Sequence, residues 1–418
     1  MCANSMLTAD QPRAAWIIPS TRAGGIGPVA LEVTSALAAV GVCDVTLVET
    51  HAAPHREGVE DGALRRVALD LTGAGADPSV VLNWLGDNPQ DVIFSNDVSH
   101  LEGIFPYIPS DTLHVAVLHD VARRYRDHVV SCARYLDSVV AVSDYVCDWA
   151  RKDLRAIGFS GVVRRIHNGA KYPPPLDRAA ATGPLRLLFI GNAWLKGGSQ
   201  LGPIVKALRR RGVDFRLTVV GEEPPQLRRQ MARAGLGERL TSIRRQSREE
   251  LWRTYASHDI LLMLSWGEPF GMVTIEAMGM GCVPVACDVP SGSREIIENG
   301  ISGILVHPSP HEIAAVLEKI SARRLFRMSS EASRRARVHF TAERAAQQYA
   351  QLIDDLMHCK ALICRSRLSL TRVPSVIELP RRSSLARLYG ALPSSLRRRI
   401  RHGFANYPTG ARWLRERF

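Results

Sequence analysis

The sequence predicts two doubly wound α/β domains joined by a short linker, and three observations lead there. Short apolar runs alternate with helix-spaced apolar positions from residue 14 to about residue 350. The alternation is interrupted by a Pro/Ala/Gly-rich stretch that includes Tyr172-Pro173-Pro174-Pro175 and Ala179 to Pro184, and then it restarts. The chain has 418 residues, too long for one compact core. The expected divisions are an N-terminal domain over 1–175, a linker over 176–184, a second domain over 185–345, and a helical return segment with a basic tail over 346–418.

In the first half, Ala14 to Pro19 reads as a strand, followed by a glycine-rich turn, Ser20-Thr21-Arg22-Ala23-Gly24-Gly25-Ile26-Gly27-Pro28. Val29, Val33, Leu37 and Val40 then share one helical face, which stops at Gly41 before the strand Asp44 to Val48. A glycine turn at a helix N-terminus can hold an anion. The turn lacks the Gly-x-Gly-x-x-Gly dinucleotide fingerprint and the Gly-Lys-Ser/Thr of a P-loop. Further strands are expected at Asp91 to Ser95, His114 to Leu118, Ser138 to Ser143 and Val162 to Ile166. His119-Asp120 follows the second of these, at the strand end where doubly wound sheets bind ligands. From the residues alone, His119 reads first as a cap or a satisfied buried imidazole, and Ser143 as a helix N-cap.

The second half begins with the strand Leu185 to Ile190, the turn Gly191-Asn192-Ala193-Trp194-Leu195-Lys196-Gly197-Gly198, and a helix through Leu201, Ile204 and Leu208. Phe215 to Val220 and Glu249 to Ala256 supply a further strand and helix. The most informative stretch is Ser265-Trp266-Gly267-Glu268-Pro269-Phe270-Gly271-Met272-Val273-Thr274-Ile275-Glu276-Ala277-Met278. A strand at Asp259 to Leu264 enters it, and Met272, Ile275, Met278 and Gly279 leave it at helical spacing. Strand, glycine turn and helix start together aim amide N–H groups and a helix dipole at whatever sits above, which suits a phosphate. Glu268 lies in the turn and Glu276 in the second turn of the helix. The fold resumes with strands at Val283 to Ala286 and Gly303 to Val306, then helices from Pro310 to Tyr349 and beyond.

Composition narrows the classes. The net charge of +13 is concentrated at the end: residues 365–418 hold thirteen Arg against two Glu. The body is therefore close to neutral, unlike a nucleic-acid-binding surface. Eight scattered cysteines contain no Cys-x2-Cys pair, and no metal site is expected. No apolar run reaches the length of about 18 residues that would cross a bilayer. The expected setting is a reducing cytoplasm, or the inner face of the cell membrane.

With these landmarks the chain resembles the retaining GT-B glycosyltransferases of family 4 over roughly residues 14–350. Glu268 and Glu276 match its Glu-x7-Glu with Phe-Gly and Glu-Ala-Met, and Gly24-Gly25-Ile26 matches its N-terminal glycine loop. His119-Asp120, Ser143, Asn168-Gly169, Lys196-Gly197, Gly221 and Glu295 follow in the family's order. The resemblance implies two Rossmann-like domains facing a cleft and a nucleoside diphosphate sugar as donor, with no cofactor. It implies catalytic roles for Glu268, His119 and Lys196. Gly25, Asn192, Lys196, Phe270, Gly271, Met272, Val273 and Glu276 would contact the donor, with Glu276 on the ribose and Lys196 on the diphosphate. The family usually has an Arg near Asn192, so one cation is missing, and Arg244 or Arg245 is a candidate replacement.

The implied activity is retaining, metal-independent hexosyl transfer to a hydroxyl of a saccharide or lipid-linked saccharide, in polysaccharide or lipopolysaccharide assembly. A synthase with a soluble acceptor and a catalytically silent sugar-binding subunit remain alternatives. In the tail, Leu388, Leu392, Leu396 and Ile400 recur every four residues among arginines. That pattern suits an anionic membrane surface, and equally a segment wrapped onto the catalytic body.

Overall fold

The computed structural model describes residues 11–22, 25–51, 64–69, 71, 77–175, 183–192, 195–224, 226–244 and 246–360. Gly24 of the glycine loop, residues 176–182 of the expected linker, Arg245 and the Arg-rich tail lie outside the described residues. The described residues divide into two compact units, one of those before 172 together with 342–360, the other of those within 172–341.

The first unit runs β1 (Arg13–Ile18), α1 (Ile26–Val40), β2 (Asp44–Glu49), β3 (Arg65–Ala68), α2 (Ser79–Asp87), β4 (Val92–Asn96), β5 (Leu113–Leu118), α3 (Arg123–Cys132), β6 (Ser138–Ala141), α4 (Asp144–Ala156) and β7 (Val162–Arg165). Its seven strands are parallel in the order β3-β2-β1-β4-β5-β6-β7. Both faces of the sheet are covered, so β4 and β5 are buried at every residue and show no alternation. Gly41 ends α1 in a left-handed conformation at φ 71°, as its position in the sequence suggests. Ser143 caps α4 by accepting from the Val146 N–H at 3.1 Å.

The second unit contains β8 (Leu185–Asn192), α5 (Leu201–Arg210), β9 (Phe215–Glu222), α6 (Leu227–Arg233), β10 (Leu240–Ile243), α7 (Arg248–Ser257), β11 (Ile260–Met263), α8 (Met272–Gly279), β12 (Val283–Cys287), α9 (Ser293–Ile296), β13 (Ile304–Val306), α10 (Pro310–Lys319) and α11 (Ala322–His339). Its six strands are parallel in the order β10-β9-β8-β11-β12-β13. The core lies between this sheet and its helices, with Leu187, Phe189, Phe215, Leu262 and Val285 packed against Ile204, Leu208 and Ile313. Fully burying one such side chain contributes roughly 1.5–3 kcal/mol.

The last described helix, α12 (Ala342–Cys359), belongs to the first unit and packs along α1. It sets the Tyr349 ring edge-on against Trp16 of β1 at 4.7 Å and Phe94 of β4 at 5.6 Å. Two strands escape a reading of the sequence: β3 (Arg-Arg-Val-Ala) and β10 (Leu-Thr-Ser-Ile) are edge strands, whose outer positions are polar.

Candidate active site

In the second unit, strand order reverses between β8 and β11, the place where parallel α/β sheets bind ligands at the carboxyl ends of their strands. The loop after β8 carries Lys196 and the loop after β11 carries Glu268. Lys196 Nζ donates to both carboxylate oxygens of Glu268, at 2.9 Å and 2.7 Å.

Local backbone geometry fixes this pair. Lys196 N–H donates to the Asn192 carbonyl at 2.9 Å, closing the turn, and Gly197 adopts φ 75° immediately after it. A Cβ on Gly197 would stand 2.0 Å from the Leu264 carbonyl oxygen, so only glycine lets the two loops approach this closely. Gln200 Nε2 donates to the same carbonyl at 3.1 Å. Asn192 accepts from the Leu195 N–H and donates to Glu222 at 2.9 Å, which places its amide in the turn itself.

Glu268 is buried, and Ser265 Oγ donates to it at 3.3 Å. Its carbonyl accepts from Gly292 N–H at 2.8 Å. Buried Phe270 follows, and Gly271 turns the chain at φ 119° into α8. Thr274 and Ile275 N–H both bond to the Gly271 carbonyl. Met272 and Val273 form the first turn, where amides have no intrahelical acceptor.

Glu276 lies one turn further along α8. Tyr255 donates its hydroxyl to Glu276 Oε2 at 2.9 Å, and an Arg248 guanidinium nitrogen stands 3.8 Å from Oε1. The basic residue beside this carboxylate is thus Arg248, whereas Arg244 is exposed. Burial, and then the Glu276 charge, push the Tyr255 pKa well above its usual value, so it remains a donor at all physiological pH.

In the first unit, the loop after β1 is anchored by a buried carboxylate. Glu49, at the end of β2, accepts from Thr21 N–H at 2.6 Å and Thr21 Oγ1 at 2.8 Å, while Arg66 donates to its other oxygen at 2.8 Å. Burial alone would raise the Glu49 carboxyl, but the bonds from Thr21 and Arg66 outweigh it and hold it below the usual range. Gly25 precedes α1, and a Cβ added there would meet nothing within 4 Å, whereas a Cβ on Gly27 would fall 2.5 Å from backbone atoms of Ser20 and Thr21. Gly27 is therefore the glycine the loop requires for packing, and Gly25 has open space above it.

His119 follows β5, and its Nε2 lies 3.0 Å from Asn96 Oδ1. Asn96 Nδ2 donates to the Phe94 and Ile17 carbonyls, so its oxygen must face the imidazole. This network assigns the proton to Nε2 and leaves Nδ1 as an acceptor. Burial lowers the His119 pKa to about 4, so the ring is neutral near pH 7. Asp120 bonds the Val121 and Ala122 N–H groups and shapes the loop. Asp97, at φ 50°, has its pKa raised to about 6 by burial, against the pull of Arg124.

Among the described residues one trio has metal-ligand chemistry: Glu102, His128 and Cys132. His128 Nδ1 lies 2.5 Å from Glu102 Oε1, which is a hydrogen bond. Two ligands on one tetrahedral zinc would stand about 3.3 Å apart given its bond lengths. Burial also pushes the Cys132 thiol up to about 12, and the trio reads as a structural His–carboxylate pair.

Arg248, Tyr255, Asn96, Asp97, Glu49 and Arg66 are not singled out by the sequence. Only the first two carry a periodic signal, since Arg248, Trp252 and Tyr255 recur at i, i+4 and i+7 along α7.

Comparison with known proteins supports the same reading. The family described as glycosyl transferases group 1 matches residues 184–323. That match covers about a third of the chain. A GDP-mannose:cellobiosyl-diphosphopolyprenol alpha-mannosyltransferase of Xanthomonas oryzae pv. oryzae is 28% identical over 159 residues, covering 37% of this chain and 41% of the relative. A D-inositol 3-phosphate glycosyltransferase of Pseudarthrobacter chlorophenolicus is 31% identical over 172 residues, covering 40% of each. The alignments thus span about two-fifths of these curated relatives. Among solved structures, sucrose-phosphate synthase from Thermosynechococcus elongatus superposes with a TM-score of 0.67 at 19% identity, covering 84% of this chain and 100% of that one. The chain has the GT-B fold, two Rossmann-like domains built on parallel sheets. No described helix is long and apolar enough to cross a membrane.

Proposed function

We propose that the protein transfers a hexosyl group from a nucleoside diphosphate sugar to a hydroxyl of a saccharide or lipid-linked saccharide, retaining the anomeric configuration. The observation that carries this reading is the Lys196–Glu268 pair at the reversal point of the second sheet, beside the N-terminus of α8. Lys196 has three N–H donors, of which two meet Glu268, and the third can meet a diphosphate oxygen. The amides of Met272 and Val273 add fixed positive ends toward the same charge.

In this scheme Glu276 accepts from the ribose hydroxyls and Glu268 orients hydroxyls of the donor sugar. His119 offers its Nδ1 lone pair to a sugar hydroxyl. The bond between the anomeric carbon and the diphosphate oxygen breaks, and a bond from that carbon to the acceptor oxygen forms on the same face. The acceptor proton passes to the departing diphosphate. Lys196 and the α8 amides meet the growing charge, so the scheme assigns no step to a metal and needs no cofactor.

The names of the relatives support the substrate classes: one uses a GDP-sugar and a diphosphopolyprenol-linked acceptor, the other transfers to inositol 3-phosphate. Work at the cytoplasmic face of a membrane, in polysaccharide or lipopolysaccharide assembly, would suit the lipid-linked case.

The test is a product assay with UDP- and GDP-hexoses and a lipid-linked disaccharide acceptor. The reading predicts release of nucleoside diphosphate, an α-linked product from an α-linked donor by NMR, and unchanged turnover in EDTA. Release of sugar phosphate, an inverted product, or loss of turnover in EDTA restored by a divalent cation would each contradict the corresponding part.

A further inference from the structure

Two residues of α7, Arg248 and Tyr255, reach Glu276. Arg248, Trp252 and Tyr255 are spaced i, i+4 and i+7, and α7 packs against α8. Tyr255 is 1% exposed and gives its hydroxyl to Glu276 Oε2 at 2.9 Å. Arg248 stands 3.8 Å from Oε1, and its guanidinium lies over the Trp252 ring at 5.2 Å. A capping box at Ser247 and Glu250 fixes the start of α7, which sets where Arg248 begins.

We propose that Tyr255 and Arg248 are positioning residues that hold the two oxygens of Glu276 in the orientation that selects a ribose over a 2′-deoxyribose. The proposal rests on the reading of Glu276 as the ribose-binding carboxylate. A glutamate side chain has three rotatable bonds, and aiming it at two vicinal hydroxyls requires that they be fixed. One buried hydroxyl bond fixes one oxygen, and a guanidinium held by stacking favours the ionised form and biases the other. Because Tyr255 stays protonated, its bond is always donated to the carboxylate. The Glu276 side chain is 15% exposed, so its outer edge remains open to a ligand.

The two positioning residues have different exposures, which gives two independent variants. Tyr255→Phe removes only the hydroxyl from a buried ring. Arg248→Gln changes a side chain that is 33% exposed.

The experiment measures, by calorimetric titration, the affinities of the wild-type protein, Glu276→Ala, Tyr255→Phe and Arg248→Gln for UDP, GDP and their 2′-deoxy counterparts, with thermal melting as the fold control. The wild type is expected to prefer the ribonucleotide, and Glu276→Ala to abolish that preference. Tyr255→Phe and Arg248→Gln should each cut the preference about fivefold, the scale of one ordinary net hydrogen bond, while binding of the 2′-deoxynucleotide changes little. If both variants keep the wild-type preference, or weaken both nucleotides equally, the positioning role is overturned. If the wild type shows no ribose preference, or Glu276→Ala keeps it, the reading of Glu276 itself fails. A melting loss in one variant leaves the other to decide.

Discussion

Lys196 Nζ bridges both oxygens of Glu268, across the two strands where the second sheet reverses its order. The ammonium assigned to the diphosphate and the carboxylate assigned to the sugar therefore position each other. Neither can be removed without misplacing its partner, because the Glu268 side chain is 11% exposed and the Lys196 side chain 30% exposed.

Lys196→Ala is accordingly expected to lower kcat/KM by roughly 100-fold or more, the usual scale for losing a preorganised charge at a leaving group. Lys196→Arg should recover little, since a guanidinium that pairs its planar fork with both oxygens of Glu268 no longer places a compact third donor toward the diphosphate. Steady-state kinetics with a nucleoside diphosphate sugar measure both.

Gly197→Ala should destabilise the fold by about 2 kcal/mol or more, from its positive φ and the clash with the Leu264 carbonyl. Gly25→Ala has open space and φ −85°, so its cost should stay within about 0.5 kcal/mol. Urea unfolding of the two variants gives the contrast. A large loss at Gly25 would show that the loop is held differently.

Glu49→Gln tests the anchor of the β1–α1 loop. It leaves Arg66 without a carboxylate partner at this position and weakens two bonds to Thr21. The expected destabilisation is about 2 kcal/mol, below the range for a fully buried pair because the Arg66 side chain is 20% exposed. Chemical denaturation at pH 7 checks it.

Two groups of the first unit act in opposite directions with pH. His119 titrates near 4 in the folded state and near 6.5 when unfolded, so the unfolded state binds more protons between those values and stability falls as the pH drops through the window. Asp97 titrates near 6 when folded against 3.8 when unfolded, so the folded state binds more protons and stability rises as the pH drops from about 6 to 4. Asp97→Asn should therefore steepen acid destabilisation between pH 6.5 and 4, and His119→Asn should lessen it. Melting temperatures at pH 4.5 and 7 decide both signs.

The fold is readable in the sequence because parallel strands buried on both faces appear as apolar runs without alternation, as at Ile260–Met263 and over Val92, Ile93 and Phe94. Edge strands β3 and β10 lack that signature and do not read as strands. At the site, residues on one continuous strand–turn–helix segment, Glu268 through Glu276, are legible as a unit. The contacts that position them join residues far apart in sequence, such as Lys196 with Glu268 or Glu49 with Thr21, and no local pattern encodes such pairings. Arg248 illustrates the limit. It stands far from Glu276 in the sequence, and only the packing of α7 on α8 brings it to 3.8 Å from that carboxylate.

The most direct test of the account is calorimetric titration of UDP, GDP and ADP into the wild-type protein and into Lys196→Ala. The account predicts that at least one nucleoside diphosphate binds the wild type with micromolar affinity and that Lys196→Ala weakens that binding at least tenfold, about 1.4 kcal/mol. Absence of binding by all three, or equal binding by the variant, would contradict it.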